Sequence, residues 1–371
     1  MTASIPSIIT RTLIPALHIA LLPIFASAQN QPHMNDSIIS GIRPLGFRWE
    51  VQDPFLFCAH HRDHYPRGND SLGPAASLAG RNLGEDFTLK DGFRMYHGET
   101  VPGFPEHPHR GFETVTIVLE GWVDHSDSHG QAGRYGPGDV QWMTAGSGLQ
   151  HSEMFPLLDR DRDNPLELFQ VWLNLPAAKK MVSPHYKMLW SEQIPVVTTK
   201  DDRCRMTIVR VIAGRYHGAR ALSPAPDSYA ADPGSQVAIW MISMDPEARW
   251  ILPEADPSAH RTLYFHRGDS LEAAGVKIAG GHSFDVKPGV EIEILNGSSP
   301  ASLLLLQGKP LAEPVAQYGP FVMNTEEEIR QAFADYRSTQ FGGWPWPVRE
   351  NVFPRDIGRF ARYIGGTEER P

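Results

Sequence analysis

The amino-acid sequence predicts an all-β protein built from two jelly-roll barrels, with one helix near its C-terminus. Glycine and proline are abundant, at 33 and 32 of 371 residues, and short runs of β-branched residues alternate with turn-forming dipeptides. Many short strands joined by tight turns are typical of sandwiches and barrels. A chain of this length exceeds one ordinary hydrophobic core, so we expect two domains.

Charge and cysteine content narrow the possible function classes. The net charge is −9, and lysine and arginine form no continuous run. Direct binding to nucleic acid is therefore not expected, because the basic surface that neutralises phosphates is missing. The two cysteines, Cys58 and Cys204, form no CxxC motif, which argues against a zinc site made of thiolates.

Residues 1–33 have two interpretations. The apolar run at 13–25, followed by Ala26-Ser27-Ala28, has the shape of a secretory signal peptide with a cleavage site. Alternatively, Met34 is the true start, and the preceding residues are a spurious extension. The run is too short to cross a bilayer, so no membrane span is expected.

The first barrel is predicted over residues 34–188, and its early part, 35–105, is rich in turns. Runs of β-branched and aromatic residues predict three strands, at 114–119, 140–144 and 166–175. The turn Pro137-Gly138-Asp139 precedes the second of these strands. Pro176 ends the third, because proline cannot donate to a sheet ladder.

The second barrel is predicted over residues 189–312, after a boundary close to 184–195. Apolar runs predict its strands at 237–242, at 302–307 and on both sides of the Pro288-Gly289 turn. This half does not contain two histidines at i, i+2 followed by a third, so no metal site is expected in it.

A C-terminal helix and tail are predicted over residues 313–371. Thr325 and Glu328 form a capping box at the helix start. Ile329, Phe333 and Tyr336 then repeat at helical spacing and predict one buried stripe. The glycine- and proline-rich residues that follow predict a packed or loose tail without regular structure.

The most informative residues are two pairs at i, i+2 spacing: His107 with His109, and His151 with Glu153. Side chains two residues apart project from the same face of a strand. Two such strands facing each other across a barrel would supply four inward ligands for one metal ion. Pro108 predicts that its strand starts there or lies at a bent edge.

Three imidazoles and one carboxylate, without sulfur, suit Fe(II), Mn(II), Ni(II), Cu(II) or Zn(II). An octahedral ion with four protein ligands keeps open positions for O₂ and an oxygen-donor substrate. Glu113 has the same parity as His109, so it would also point inward if the strand between them were continuous.

Other histidines are expected to be structural or solvated. His60, His61 and His64 are expected in a polar loop; the first alternative is a role at the pocket mouth, and metal ligation is the less favoured one. His125 and His129 are expected in a solvated hairpin turn.

Residues 107–115, 137–146 and 151–154 together resemble the signature of the pirin family, within the cupin superfamily. Residues 319–325 also resemble the C-terminal segment of that family. The resemblance extends over roughly residues 45–340. It implies a bicupin, in which two barrels lie face to face and only the N-terminal one holds iron.

Carried over by this resemblance, the metal ligands are His107, His109, His151 and Glu153. The general cupin pattern would instead use Glu113 as the carboxylate ligand. With Glu153 as the favoured ligand, Glu113 is expected to hold an imidazole in place or to touch the substrate.

The resemblance implies two possible functions. The first is an Fe(II) dioxygenase, similar to quercetin 2,3-dioxygenase, that opens a flavonol or another small aromatic substrate with O₂, while Glu153 or Glu113 accepts the hydroxyl proton. The second is a redox-sensing binding protein that regulates a protein partner. A monomer in the cytoplasm is expected, or a periplasmic or secreted protein if residues 1–28 are a cleaved signal peptide.

Overall fold

The computed structural model describes residues 37–371, and strands dominate it. The predicted signal peptide or extension at residues 1–33 lies outside the described residues. In the N-terminal half, the strands are β1 (Ile39–Pro44), β2 (Arg48–Trp49), β3 (Phe55–Tyr65), β4 (Gly103–His109), β5 (Phe112–Glu120), β6 (Val123–Asp127), β7 (Ala132–Tyr135), β8 (Val140–Thr144), β9 (Leu149–Met154), β10 (Asn164–Asn174) and β11 (His185–Leu189).

The C-terminal half contains twelve further strands and is followed by the helix and the tail. Its strands are β12 (Val196–Lys200), β13 (Met206–Ala213), β14 (Arg215–Tyr216), β15 (Ala219–Arg220), β16 (Ala238–Met244), β17 (Arg249–Leu252), β18 (His260–Arg267), β19 (Ser270–Ala273), β20 (Val276–Ala279), β21 (His282–Val286), β22 (Ile292–Asn296) and β23 (Ala301–Gly308). The remaining elements are β24 (Ala316–Tyr318), β25 (Phe321–Met323), α1 (Glu326–Thr339), β26 (Phe360–Arg362) and β27 (Glu368–Glu369).

Four sheets form two barrels. Two six-stranded sheets, in the orders β11-β8-β5-β10-β3-β2 and β27-β26-β7-β6-β9-β4, enclose the first barrel. A seven-stranded sheet, β1-β21-β18-β23-β16-β13-β12, and a four-stranded sheet, β17-β22-β19-β20, enclose the second. The predicted all-β class, with two barrels and a C-terminal helix, is confirmed.

Each end of the described chain pairs with the barrel that is more distant from it in the sequence. Strand β1, near the N-terminus, pairs with β21 of the second barrel. Strand β26, in the C-terminal tail, pairs with β7 of the first barrel. Each barrel therefore includes a strand from beyond the predicted domain boundary between residues 188 and 189. The tail is packed rather than loose.

The barrels meet through a hydrophobic layer between the β5 sheet and the seven-stranded sheet. Val115 and Ile117 on β5 pack in the same buried cluster as Ile239 and Leu304 from the second barrel. Side chains at alternate positions of β5 point the other way, into the first barrel, where Val118 joins the interior cluster. One strand thus serves both the barrel interior and the interface.

Helix α1 begins as predicted. The Thr325 side chain accepts the Glu328 backbone N–H, and the Glu328 side chain accepts the Thr325 N–H, which completes the capping box. Ile329 is buried, and Phe333 packs against the same cluster while partly exposed. No helix within residues 37–371 is long and apolar enough to cross a membrane.

Candidate metal centre

Strands β4 and β9 bring the two predicted pairs together. His107 lies directly opposite His151 in the antiparallel ladder. The two strands are hydrogen-bonded neighbours in one sheet, so the prediction that they face each other across a barrel is corrected. Strand β4 lies at the edge of its sheet, as the proline between its two histidines predicts.

The three imidazoles converge on one point. One ring nitrogen from each of His107, His109 and His151 lies within 4.8 Å of the other two. The Nε2 atoms of His107 and His109 are 3.1 Å apart. Their ring centroids are 4.7 Å apart, with the planes nearly perpendicular.

Hydrogen bonds at Nδ1 define the tautomers of two of these rings. His107 Nδ1 lies 2.8 Å from the Pro105 carbonyl oxygen, and His109 Nδ1 lies 3.4 Å from the Pro320 carbonyl oxygen. Because a carbonyl only accepts, each Nδ1 carries the proton, and each Nε2 of the neutral ring presents a lone pair. Two lone pairs 3.1 Å apart repel one another unless a cation lies between them.

His151 adds a third donor to the same point. Its ring is buried, and neither ring nitrogen has a hydrogen-bond partner among the described residues. Burial lowers the pKa of His107 to about 4 and the pKa values of His109 and His151 well below the ordinary histidine value. All three rings are therefore neutral near pH 7, which is the form that binds a metal. The donor set fits a divalent transition-metal ion.

Glu153 follows His151 on the same face of β9, and its carboxylate lies beside the imidazoles rather than within their 4.8 Å group. Thr116 Oγ1 donates to one of its oxygens at 2.9 Å, and the Gln170 amide donates to the other. Tyr135 Oη lies 3.5 Å from the first oxygen. Burial raises the pKa of Glu153.

Glu113 does not face the imidazoles. The chain reverses at Arg110-Gly111, where Gly111 has a φ of 86°, and β5 then continues in the other sheet. The parity argument that linked Glu113 to His109 required a continuous strand, and the chain breaks between them. Glu113 instead shares its face with Val115 and points into the layer between the barrels.

Three donors hold the Glu113 carboxylate in that layer. Thr144 Oγ1 and Trp142 Nε1 donate to one oxygen at 2.8 and 3.0 Å, and Ser228 Oγ donates to the other at 2.6 Å. None of its hydrogen bonds among the described residues is to an imidazole. Burial raises the pKa of Glu113 to about 7.

The structure differs from the favoured expectation for several groups near the imidazoles. His61 lies on strand β3 rather than in a polar loop, and it lines the cavity at the imidazoles, in agreement with the alternative of a role at the pocket mouth. His125, expected in a solvated turn, is fully buried, and its Nδ1 accepts from the Gln141 amide at 2.9 Å. Gln170 lies on β10 and lines the same cavity, and sequence reasoning did not single it out.

A cavity of about 670 Å³ opens at His107, His109 and Glu153. That volume lies within the range of about 300–1,000 Å³ that small-molecule sites occupy. Aromatic rings form much of its wall, together with His61 and Gln170: Phe47, Phe57, Phe87, Phe104 and Trp172. The cavity can accept a flat, largely apolar molecule and present it to a bound metal.

The C-terminal tail forms part of the cavity rim. Glu350 accepts backbone N–H groups from Glu99, Thr100 and Val101 at 2.6–3.1 Å. Arg349 pairs with Glu106 at 2.9 Å. These contacts fasten residues after helix α1 to β4 and to the loop that precedes it.

Comparisons with known proteins agree with this geometry. The family model for Pirin matches residues 69–173, and the model for the Pirin C-terminal cupin domain matches residues 239–342. Human pirin is 38% identical over 270 residues, which cover 71% of this chain and 84% of that protein. This chain belongs to the pirin family. It is therefore a bicupin, with the three imidazoles in the first cupin barrel.

Other pirin-family relatives carry an enzyme name. A Pseudomonas aeruginosa protein provisionally named quercetin 2,3-dioxygenase is 40% identical over 245 residues, covering 64% of this chain and 79% of the relative. A crystal structure of quercetin 2,3-dioxygenase from Acinetobacter baumannii superposes with a TM-score of 0.64 at 26% identity. That match covers 82% of this chain and 98% of the other.

Proposed function

We propose that this pirin-family protein is an Fe(II)-dependent dioxygenase that opens flavonols such as quercetin with O₂. The observation that carries the proposal is the approach of His107 Nε2 and His109 Nε2 to 3.1 Å, at the floor of a cavity with aromatic walls. His107, His109, His151 and Glu153 would hold the ion. When bound, a redox-active metal supplies Lewis-acid activation of the flavonol oxygens and exchanges electrons with O₂.

In this proposal Glu153 takes the proton from the flavonol hydroxyl. Burial makes its carboxylate a stronger base than an exposed one, because it raises the pKa. The donors from Thr116 and Gln170 hold the carboxylate in one orientation. Glu113 lies between the barrels and is left without a part in proton transfer in this proposal.

The cavity wall would orient the substrate and exclude water. Phe104 lies 6.3 Å from the His107 ring, and Trp172 lies 5.4 Å from the His109 ring, measured between centroids. Aromatic faces on two sides favour a planar polycyclic substrate, since stacking and edge contacts both stabilise it.

Oxygen uptake tests this function. Protein reconstituted anaerobically with Fe(II) should consume O₂ in step with flavonol loss when quercetin is added. His151→Ala should abolish the uptake, and His282→Ala, a matched control in the second barrel, should retain it. Iron bound stoichiometrically without any flavonol-dependent uptake would refute the dioxygenase proposal.

A second candidate is an iron-dependent redox-sensing protein that regulates a protein partner. It is favoured by the tail at residues 348–352, which lines the metal cavity and also reaches the surface. A change in the charge of the metal would alter the electrostatic interaction with this tail, and so could change the surface that the tail presents to a partner. Partner capture that is equal for ferrous and ferric protein would exclude this candidate.

A further inference from the structure

A second group of metal-binding side chains lies between the two barrels, away from the first site. It combines His60 on β3, Glu167 on β10 and His266 on β18. Their ligand atoms all lie within 4.8 Å of one another. His61 lines the cavity of the first site, and the next side chain back along the strand, His60, points to the opposite face.

The distances suit coordination. Glu167 Oε1 lies 3.0 Å from His60 Nε2 and 3.8 Å from His266 Nδ1. Two ligands of a tetrahedral ion with bonds of about 2.0–2.1 Å are separated by about 3.3 Å. Small adjustments of these side chains would bring all three atoms to that separation.

His266 is buried without a hydrogen-bond partner for its ring. Its side chain is only 2% exposed, and neither ring nitrogen has a hydrogen-bond partner within residues 37–371. A buried ring without partners is costly, because its N–H and its lone pair have both lost water. A cation at the Glu167 oxygen would satisfy the lone pair.

Glu167 supplies the negative charge of the cluster. Burial alone would raise the pKa of Glu167, but the hydrogen bond from His60 and the charge of Arg267 lower it below the ordinary value. The carboxylate is therefore ionised. Arg267 binds Oε2, which leaves Oε1 directed at the two imidazoles. Burial lowers the pKa of His266 to about 3, so the ring is neutral and able to ligate.

Aromatic rings hold both imidazoles in place. The His60 ring stacks on Phe169, with centroids 4.6 Å apart, and His266 meets the edge of the same ring at 4.9 Å. Trp49 lies 5.3 Å from His60 and 6.2 Å from His266. An apolar surround of this kind fixes ligand orientation and limits water access.

We propose that His60, Glu167 and His266 form a second metal site, which binds a divalent zinc-class ion and clamps the two barrels together. Two imidazoles and one carboxylate suit Zn(II), with water as the fourth ligand. Since His60 and Glu167 come from the first barrel and His266 from the second, the ion would link the two barrels. The proposal is independent of the dioxygenase function.

Zinc stoichiometry after chelation tests this site. Stripped protein is titrated with Zn(II), desalted and measured by mass spectrometry of the metal. The wild type should bind two equivalents. The variant His107→Ala/His151→Ala, which removes the first site, should keep one equivalent, and adding His266→Ala should reduce that to none. His282→Ala, which changes a histidine of the second barrel that is not a member of the cluster, should still bind two.

A second variant keeps the test decisive if His266→Ala fails to fold. His60→Gln changes a ring that is 14% exposed, and circular dichroism verifies its fold. Loss of one zinc equivalent in His60→Gln supports the site. The proposal is overturned if the His107→Ala/His151→Ala protein binds no zinc, or if both cluster variants bind as much as the wild type. Oxygen uptake is measured separately, so a failure of either proposal can be recognised.

Discussion

The two barrels share an architecture and differ in what lies inside them. Inside the second, Trp240, Trp250, Leu263 and Phe265 belong to one hydrophobic cluster that fills the space between its sheets. The first also has an apolar interior cluster, but at one end imidazoles and a carboxylate face a cavity of about 670 Å³. The same strand framework therefore supports dense packing in one barrel and a ligand site in the other, according to its inward-facing residues.

The buried carboxylate inside the first barrel depends on hydrogen-bond donors from the opposite sheet. Glu153 is buried, yet Thr116 and Gln170 donate to its oxygens from the β5 sheet, across the barrel from its own strand. A buried carboxylate without such donors would be strongly destabilising. We therefore expect substitutions at Glu153 and its donors to affect metal binding and turnover, whereas substitutions inside the second barrel should affect stability.

The largest expected effect comes from Glu153→Gln. The amide cannot accept the flavonol proton, so turnover should fall by about 10²–10⁴-fold, which is the usual contribution of a general base. Oxygen uptake is measured at saturating Fe(II), so that weaker metal binding does not confuse the result. Unchanged turnover under that condition would exclude Glu153 as the base.

Leu263→Ala should separate stability from chemistry. Leu263 is fully buried in the second barrel, and removing its methyl groups leaves a cavity that costs about 2–5 kcal/mol. Urea unfolding measures the loss, and the metal content of the first site should not change. The exposed Leu295→Ala is the matched control, with an expected effect below about 0.5 kcal/mol. If Leu263→Ala lost the metal but kept its stability, the second barrel would affect the metal site directly, which contradicts the expected separation of roles.

Glu113 predicts a pH dependence at the interface. Its pKa is about 7 in the folded protein against an ordinary value of 4.5, so the folded state binds more protons between those limits. The contribution of Glu113 to the free energy of unfolding should therefore fall by up to about 3 kcal/mol as pH rises from 4.5 to 7, and should then stay level. The buried histidines oppose this trend, because their pKa values are lowered, so the contribution is measured as the difference between the wild type and Glu113→Gln, which lacks it.

The same urea titrations, repeated at several pH values, measure this effect. Glu291→Gln, which changes an exposed carboxylate of the second barrel, should show no pH-dependent difference from the wild type. A difference between the wild type and Glu113→Gln that stays constant from pH 4.5 to 7 would show that Glu113 does not titrate in this range.

The smallest expected effect is that of Gln170→Ala. It removes one donor to Glu153 and should weaken metal binding by about 10–100-fold, as changes beside metal ligands usually do. Competition with a coloured chelator measures the affinity. Gln193→Ala changes an exposed residue and should leave the affinity unchanged. Equal affinities in the two variants would show that Gln170 does not support metal binding.

Much of the architecture could be predicted because it is encoded locally. The strand at 140–144 follows a proline-glycine turn and coincides with β8, and Thr325 with Glu328 marks the helix start. Spacing alone placed His107 with His109, and His151 with Glu153, on shared strand faces. These features need only neighbouring residues to specify them.

Other features depend on contacts between distant parts of the chain. The side to which Glu113 points depends on the reversal at Gly111, which is closed by a hydrogen bond from its N–H to the Gly146 carbonyl. The pairing of β1 with the second barrel joins residues about 240 positions apart. The His60, Glu167 and His266 cluster also joins three remote strands, and no local pattern marks it.

Anomalous diffraction from crystals of Fe(II)-loaded protein, recorded at the iron absorption edge, would locate the metal. We expect a peak in the first barrel among the Nε2 atoms of His107 and His109, the His151 ring and the Glu153 carboxylate. The interior of the second barrel should show none. An iron peak elsewhere, with the three imidazoles unliganded, would refute the proposed metal site.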